Sequence, residues 1–205
     1  MAPPRLRIEW HAAEGAFAAA EPSPIELRAR APELALAYND PHNSAMMGNT
    51  VRFGEGDVLA HYEAMGKEGA RLFLLYELFP GQRTEESFVG DADFRNLAGG
   101  AVPSAEFAIL IASRGKQGKG RGTRFGLLLH ALAFRALGLE QVYVTIVPEN
   151  VASQRLFSKI GYAIDPSPEA RAYVDDARDV AMSIAKPEFE RRHARELGEL
   201  RITDR

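Results

Sequence analysis

The segment Gln117-Gly118-Lys119-Gly120-Arg121-Gly122-Thr123 stands between an apolar run, Phe107-Ala108-Ile109-Leu110-Ile111-Ala112, and a helix-periodic apolar segment, Phe125 to Leu137. A strand that enters a glycine-rich turn and leaves as a helix aims turn N–H groups and a helix N-terminus at one spot. The first N–H groups of a helix have no intrahelical partners, and the helix dipole is positive there, so the spot attracts phosphate. Lys119, Arg121 and Arg124 add positive charge beside it. The pattern predicts a site for a pyrophosphate-bearing ligand. Spacing then narrows the choice. A P-loop needs G-x-x-x-x-G-K-[ST], which no window supplies. A dinucleotide fingerprint needs G-x-G-x-x-G, and glycines at 115, 118, 120, 122 and 126 do not give it. What fits is [QR]-x-x-G-x-G, read as Gln117, Gly120 and Gly122.

Downstream, Gly138 reads as a left-handed helix terminator and Gln141 to Val147 as a strand rich in β-branched and aromatic residues. Pro148-Glu149-Asn150 closes that strand. Ser153, Leu156, Phe157 and Ile160 then fall on one face of a short helix stopped by Gly161-Tyr162. Pro148, Asn150, Ser153, Phe157, Gly161 and Tyr162 match P-x-N-x-x-[AS]-x-x-x-[YF]-x-x-x-G-[FY]. With both motifs in this order, the chain resembles the GNAT superfamily of N-acetyltransferases. The phrases "YNDP", "VGDADF" and "AEFAILIA" are similar to the branch of ribosomal-protein N-terminal, amino-sugar and small-amine acetyltransferases. The resemblance covers roughly residues 25 to 185. It implies a mixed α/β fold, with a mostly antiparallel sheet of six to seven strands flanked by helices and splayed between the fourth and fifth strands.

Upstream, Ile25 to Arg30 alternates and reads as a first strand, Tyr38 to Pro41 and Asp57 to Met65 as short helices, and Arg71 to Glu77, Phe88 to Phe94 and Ala105 to Ala112 as strands. The alanine cluster Ala16 to Ala20 and the break Pro22-Ser23-Pro24 predict a loosely attached arm over residues 1–24. The acetyltransferase domain is expected over 25–186. Asp179 to Ala185 reads as the final strand. Residues 187–205 are expected to form a C-terminal amphipathic helix, with Phe189, His193, Leu197 and Leu200 on one stripe. That stripe reads as packing on its own domain, with a homodimer contact as the alternative.

A chain of 205 residues suits one domain with one core, and a net charge of −3 gives no general attraction to nucleic acid or anionic membrane. The absence of cysteine excludes disulfides, cysteine-based zinc sites and an acyl-cysteine intermediate. The five histidines show no ligand spacing, so no metal is expected. The N-terminus lacks the apolar stretch of a secretory signal, and the longest apolar run, Phe125 to Phe134, is too short to span a bilayer. A cytoplasmic protein is expected.

The resemblance implies direct transfer of an acetyl group from acetyl-coenzyme A to a primary amine: a protein N-terminus, an amino sugar or another small-molecule or peptide acceptor. It places the cofactor pyrophosphate on Gln117, Gly118, Lys119, Gly120, Arg121, Gly122 and Thr123, with Gly120 and Gly122 letting main chain approach phosphate. Backbone N–H groups near Ile111 and Ala112 are expected to polarise the thioester carbonyl. Asn150 is expected to hold cofactor or backbone, and to cap its helix. The family's usual acid is a tyrosine where this chain has Phe157. Ser153 is the expected substitute, stabilising the thiolate by hydrogen bonding, with Tyr162 second. Glu106 is the expected base, with Glu77 and Asp93 as alternatives. Met46, Met47 and Phe53 are expected to wall the acceptor site, near His42, while His130 reads as structural. The acids read as scattered, which disfavours a polyamine. The alternative function is a catalytically weak acyl-coenzyme A-binding regulatory module, and the glycine turn does not distinguish acetyl from another acyl donor.

Overall fold

The computed structural model describes residues 4–12, 15–79, 86–99, 102–174, 176–197 and 200–204. Among these residues nine strands run β1 (Leu6–Ala12), β2 (Gly15–Ala20), β3 (Arg71–Leu78), β4 (Glu86–Ala98), β5 (Ser104–Ile111), β6 (Gln141–Ile146), β7 (Ala163–Ile164), β8 (Val180–Ala185) and β9 (Leu200–Asp204). The helices are α1 (Pro24–Asn39), α2 (Pro41–Met46), α3 (Glu55–Lys67), α4 (Arg121–Arg135), α5 (Val151–Ile160), α6 (Pro168–Arg171), α7 (Lys186–Arg192) and α8 (Ala194–Leu197). All strands join one sheet in the order β7-β8-β6-β5-β4-β3-β2-β1-β9. Every pairing is antiparallel except β5 with β6.

The count of nine exceeds the six to seven expected because both ends of the chain enter the sheet. Residues 1–24 were expected to be an arm; instead β1 and β2 form an antiparallel hairpin, and β2 pairs with β3. The alanine cluster is interior, with Ala18 and Ala19 wholly buried. Adjacent strand residues face opposite sides of a sheet. Ala19 accordingly joins the core under α4 while Ala18 joins the one under α1 and α3. A strand covered on both faces shows no polar alternation, and this is why the cluster does not resemble a strand in sequence.

Ile25 to Arg30 is not a strand but the opening of α1. Ser23 and Glu26 form a capping box: Glu26 N–H donates to Ser23 Oγ at 3.2 Å, and Ser23 N–H donates to Glu26 Oε2 at 2.7 Å. Pro24 follows at the first helical position, where its missing N–H costs nothing. Helical spacing then buries Ala31, Leu34, Ala35 and Tyr38.

The expected C-terminal helix is also corrected. The segment breaks at His193 into α7 and α8, and Leu200 opens β9, which pairs with β1. Part of the stripe does pack inward: Phe189 is wholly buried against Phe134 and His130, and His193 Nε2 donates to Ile160 O at 2.8 Å. Asp179 to Ala185 supplies β8, which is therefore not the last strand.

Helix α4 fills the main core, burying Leu128, Leu129 and Leu132 completely, each a contribution of about 1.5–3 kcal/mol. Gly138, at φ +69°, ends the segment as expected. Together α4 and α5 hold the glycine turn and the β6–α5 junction beside the centre of the sheet.

Candidate active site

The sheet opens at its one parallel pairing. The β5–β6 ladder holds for Ser104, Ala105 and Glu106 opposite Gln141, Val142 and Tyr143, and goes no further. Beyond it, β5 stays with β4: Ala108, Ile109, Leu110 and Ile111 face Asp93, Ala92, Asp91 and Gly90. Ala112 N–H donates to Val89 O at 2.9 Å. It therefore cannot serve the thioester carbonyl, which corrects the expectation for Ala112. In an antiparallel ladder hydrogen-bonded positions alternate. Ala112, Leu110 and Ala108 thus spend their N–H groups on β4, and those of Ile109 and Ile111 point to the side from which β6 has diverged.

Gly90 makes this close pairing fit, because a Cβ there would overlap the carbonyl of Leu110. Asn43, buried on α2, fixes the strand end: its Nδ2 donates to Ala37 O at 3.0 Å and to Ala112 O at 3.2 Å. Gln117 Nε2 donates to both Asn43 Oδ1 and Ile111 O at 2.9 Å. The Gln117 side chain thus ties the turn to the strand.

At the turn, Gly118 and Gly120 adopt φ +71° and +76°, and nothing lies within 4 Å of a Cβ built on either. Both are exposed together with Lys119, and Gly120 caps α4 with no side-chain hydrogen bond. The leading N–H groups of α4 are thus presented outward, as a diphosphate requires. Gly122 also stands close to the neighbouring helix. A Cβ there would overlap Leu156 Cδ1 on α5. Thr123 continues the first turn of α4.

Arg121 is already held: Nε and Nη2 donate to Glu77 at 2.6 and 3.1 Å, and Nη1 to Lys116 O at 3.2 Å. Glu77 is accordingly committed to Arg121 at the glycine turn and does not line the cleft described below, against its reading as an alternative base. Lys116, not singled out from the sequence, donates to Ser87 Oγ and Phe88 O, each at 2.7 Å.

Across the opening, Asn150 caps α5. Its Oδ1 accepts from Ser153 N–H at 3.0 Å, and its Nδ2 donates to Met46 O at 3.0 Å. Phe157 is buried edge-on against Phe107. Tyr162 is buried with its hydroxyl on His130 Nε2, so it is no acid for the reaction. His130 Nδ1 lies 2.7 Å from Gly126 O, which can only accept. Nδ1 therefore carries the proton, and Nε2 accepts from Tyr162. Burial lowers the His130 pKa to about 4 and keeps the ring neutral.

Between these parts lies a cleft of about 460 Å³. Ser153, Asn150 and Phe157 line it together with Met46, Met47 and Phe53. His42 is exposed and does not line it. The floor is charged. Asp91, Asp93 and Arg95 alternate on β4, and Glu106 stands opposite Arg95 on β5. The acids read as scattered in the sequence are gathered here, because period two puts 91, 93 and 95 on one face of a strand. That alternation, in a strand whose intervening Ala92 and Phe94 are buried, was the signal for Asp91 and Arg95.

Glu106 Oε1 accepts from Thr145 Oγ1 at 3.0 Å, and Oε2 from Asn96 Nδ2 at 3.1 Å. Asp91 Oδ2 accepts from the hydroxyls of Tyr38 and Tyr62, the latter at 3.0 Å. Arg95 Nε is 2.9 Å from Asp93 Oδ1, yet the two are not aligned as a hydrogen bond, and neither atom has such a partner. Burial raises Asp93 to about 7, with Arg95 opposing and Asp91 and Glu106 adding to the rise. Burial, with Arg95 helping, lowers His61 on the cleft wall. Among the described residues no cluster of three or more metal-ligating side chains occurs, and no helix is long and apolar enough to cross a membrane.

Solved structures share this architecture. RimJ of Mycobacterium smegmatis, in complex with coenzyme A disulfide, has a TM-score of 0.69 at 17% identity over 96% of both chains. Spermidine N-acetyltransferase of Vibrio cholerae, in complex with coenzyme A and spermine, has a TM-score of 0.66 at 16% identity over 84% of this chain and 97% of that one. Aminoglycoside acetyltransferase AAC(6')-Ib with coenzyme A has a TM-score of 0.61 at 18% identity over 80% of this chain and 94% of that one. No curated protein matches by sequence. The sequence model of the acetyltransferase (GNAT) domain matches residues 26–163. With the glycine turn, the opened β5–β6 pair and the β6–α5 junction all in place, the chain belongs to the GNAT acetyltransferase family.

Proposed function

We propose that this protein transfers the acetyl group of acetyl-coenzyme A to the primary amine of a small acceptor bearing more than one positive charge. The pyrophosphate lies on the exposed N–H groups of Gly118 to Gly120, and the N–H groups of Ile109 and Ile111 face the thioester carbonyl. Ser153 stabilises the departing sulfur. The observation that carries the acceptor class is the cleft floor, where Asp91, Asp93 and Glu106 outnumber Arg95. Glu106 holds the acceptor's second cationic group in this reading. Spermidine N-acetyltransferase in complex with spermine and the aminoglycoside enzyme in complex with kanamycin share the fold and supply model acceptors of this class.

The test is thiol release from acetyl-coenzyme A against spermidine, kanamycin, a peptide with a free N-terminus and a neutral amine. The chain has no cysteine, so a thiol reagent reports only liberated coenzyme A. Release fastest with the polycations is expected. Release with the neutral amine alone would overturn the acceptor class. The second reading, a regulatory module that binds acyl-coenzyme A, is favoured by Phe157 standing where the family's acid stands. Tight cofactor binding without release for any amine would establish it.

A further inference from the structure

We infer that Asp91 receives the acceptor's ammonium group and takes its proton before acyl transfer. This inference rests on the acetyl-transfer reading above. Asp91 lines the cleft and is only 8% exposed. Its two oxygens differ. Oδ2 accepts from the Tyr38 and Tyr62 hydroxyls, whereas Oδ1 is buried with no hydrogen-bond partner among the described residues. A buried acceptor atom without a donor is costly, and an ammonium N–H relieves that cost.

Position separates Asp91 from Glu106. Asp91 is directly opposite Leu110, hence level with the flanking N–H groups of Ile109 and Ile111 that face the opened side. Glu106 lies four residues back along β5, about 13 Å at about 3.3 Å per residue. Both Glu106 oxygens also already accept, from Thr145 and Asn96. Burial raises Asp91 to about 6, and the two tyrosine hydrogen bonds limit the rise, which places the carboxylate close to the neutral range where a proton acceptor is effective.

The step balances. The ammonium gives one proton to Oδ1 of the Asp91 carboxylate, leaving a neutral amine and a carboxylic acid. The amine nitrogen bonds to the thioester carbon, the carbon–sulfur bond breaks, and its electron pair leaves on sulfur. The second nitrogen proton ends on that sulfur, giving the free thiol. Asp91 returns its proton to water as products leave. Charged and titratable groups facing Asp91 are Tyr38 from α1, His61 and Tyr62 from α3, Asp93 and Arg95 from β4, and Glu106 from β5. β3 presents Leu74 opposite it.

The experiment is the pH profile of kcat/KM with spermidine and with kanamycin, alongside the Kd of acetyl-coenzyme A, for the parent and two variants. Asp91→Asn should lower kcat/KM by about 100-fold or more and leave cofactor Kd unchanged. Tyr62→Phe removes a hydrogen bond that favours the carboxylate, so the acidic limb should move to higher pH. Tyr62 bonds Asp91 and not Asp93, so this shift identifies which acid sets the limb. Parent-like kcat/KM in Asp91→Asn would overturn the inference. So would a Tyr62→Phe variant slowed equally at every pH, which marks a purely structural role and decides the matter even if Asp91→Asn does not fold. A parent that binds acetyl-coenzyme A and acetylates neither amine would overturn the transfer reading itself, a result distinct from the other two.

Discussion

Gly122 offers a test of why this family's glycines stand where they do. A Cβ at 122 would sit 3.7 Å from Leu156 Cγ, an ordinary contact, but would overlap Leu156 Cδ1. Carbon atoms pack best at about 3.5–4.0 Å, so α5 or the leucine must yield. The clash is with the free end of a half-buried leucine, which can turn away, so the cost lies near the lower end of the about 1–3 kcal/mol of core overpacking. Alanine recovers up to about 1 kcal/mol over glycine in a helix, less in a first turn. Gly122→Ala should therefore destabilise by up to about 1 kcal/mol, a fall in Tm of about 2–4 °C per kcal/mol for a chain of this size. Leu156→Ala, at a half-buried position, should cost about 2 kcal/mol by itself. In the double variant the methyl enters the space the leucine leaves. The two changes should then couple by at least about 1 kcal/mol in the stabilising direction, well beyond the additivity error of about 0.3–0.5 kcal/mol. Urea denaturation of the four proteins measures this, and coenzyme A titration calorimetry follows it. Cofactor affinity should fall in Gly122→Ala and return in the double variant. Independent, additive stabilities, or an affinity that Leu156→Ala does not restore, would show that glycine is needed for the phosphate and not for α5.

Three further outcomes follow from the site. Ser153→Ala keeps the N–H that Asn150 caps, so stability and cofactor Kd should hold while kcat falls about tenfold; an unchanged kcat in stopped thiol-release assays would leave Ser153 a helix residue only. Asn150→Asp keeps the cap but loses the donor to Met46 O, so its melting curve should match the parent within about 1 kcal/mol while acceptor KM rises; a parent-like KM would show that the Asn150–Met46 contact does not shape the acceptor wall. His130 has a folded pKa of about 4 against about 6.5 unfolded, so its neutral form supports the fold fully above pH 6.5 and that support is lost as pH falls toward 4. The sum is about 3 kcal/mol, and urea midpoints should fall more steeply over this window in the parent than in His130→Gln; equal slopes would mean the ring does not stay neutral.

The sequence was legible where chemistry constrains residue type at fixed spacing. The glycine turn, α4, Gly138, the Asn150 cap and the β6–α5 junction are local: each is set by a φ, a cap or a period within a few residues. The misread parts depended on partners far along the chain. Ala16 to Ala20 resembled a linker because its neighbours, β3 and two helix layers, lie outside any local window. Ile25 to Arg30 alternates like a strand, yet Ser23, Pro24 and Glu26 start a helix, and a capping box outweighs six residues of ambiguous period. The site divided in the same way. Glycines 120 and 122 share a motif but not their surroundings, since Gly120 has a left-handed backbone with open space beside it and a Cβ on Gly122 would meet Leu156. Asp91 escaped notice because its meaning is entirely tertiary. Tyr38 and Tyr62 arrive from two helices to bind one oxygen, and the β4–β5 register sets the other level with Ile109 and Ile111. A short motif specifies how the common cofactor is held. In the reading proposed above the acceptor meets side chains that come together only on folding, so specificity can change there while the motif stays the same.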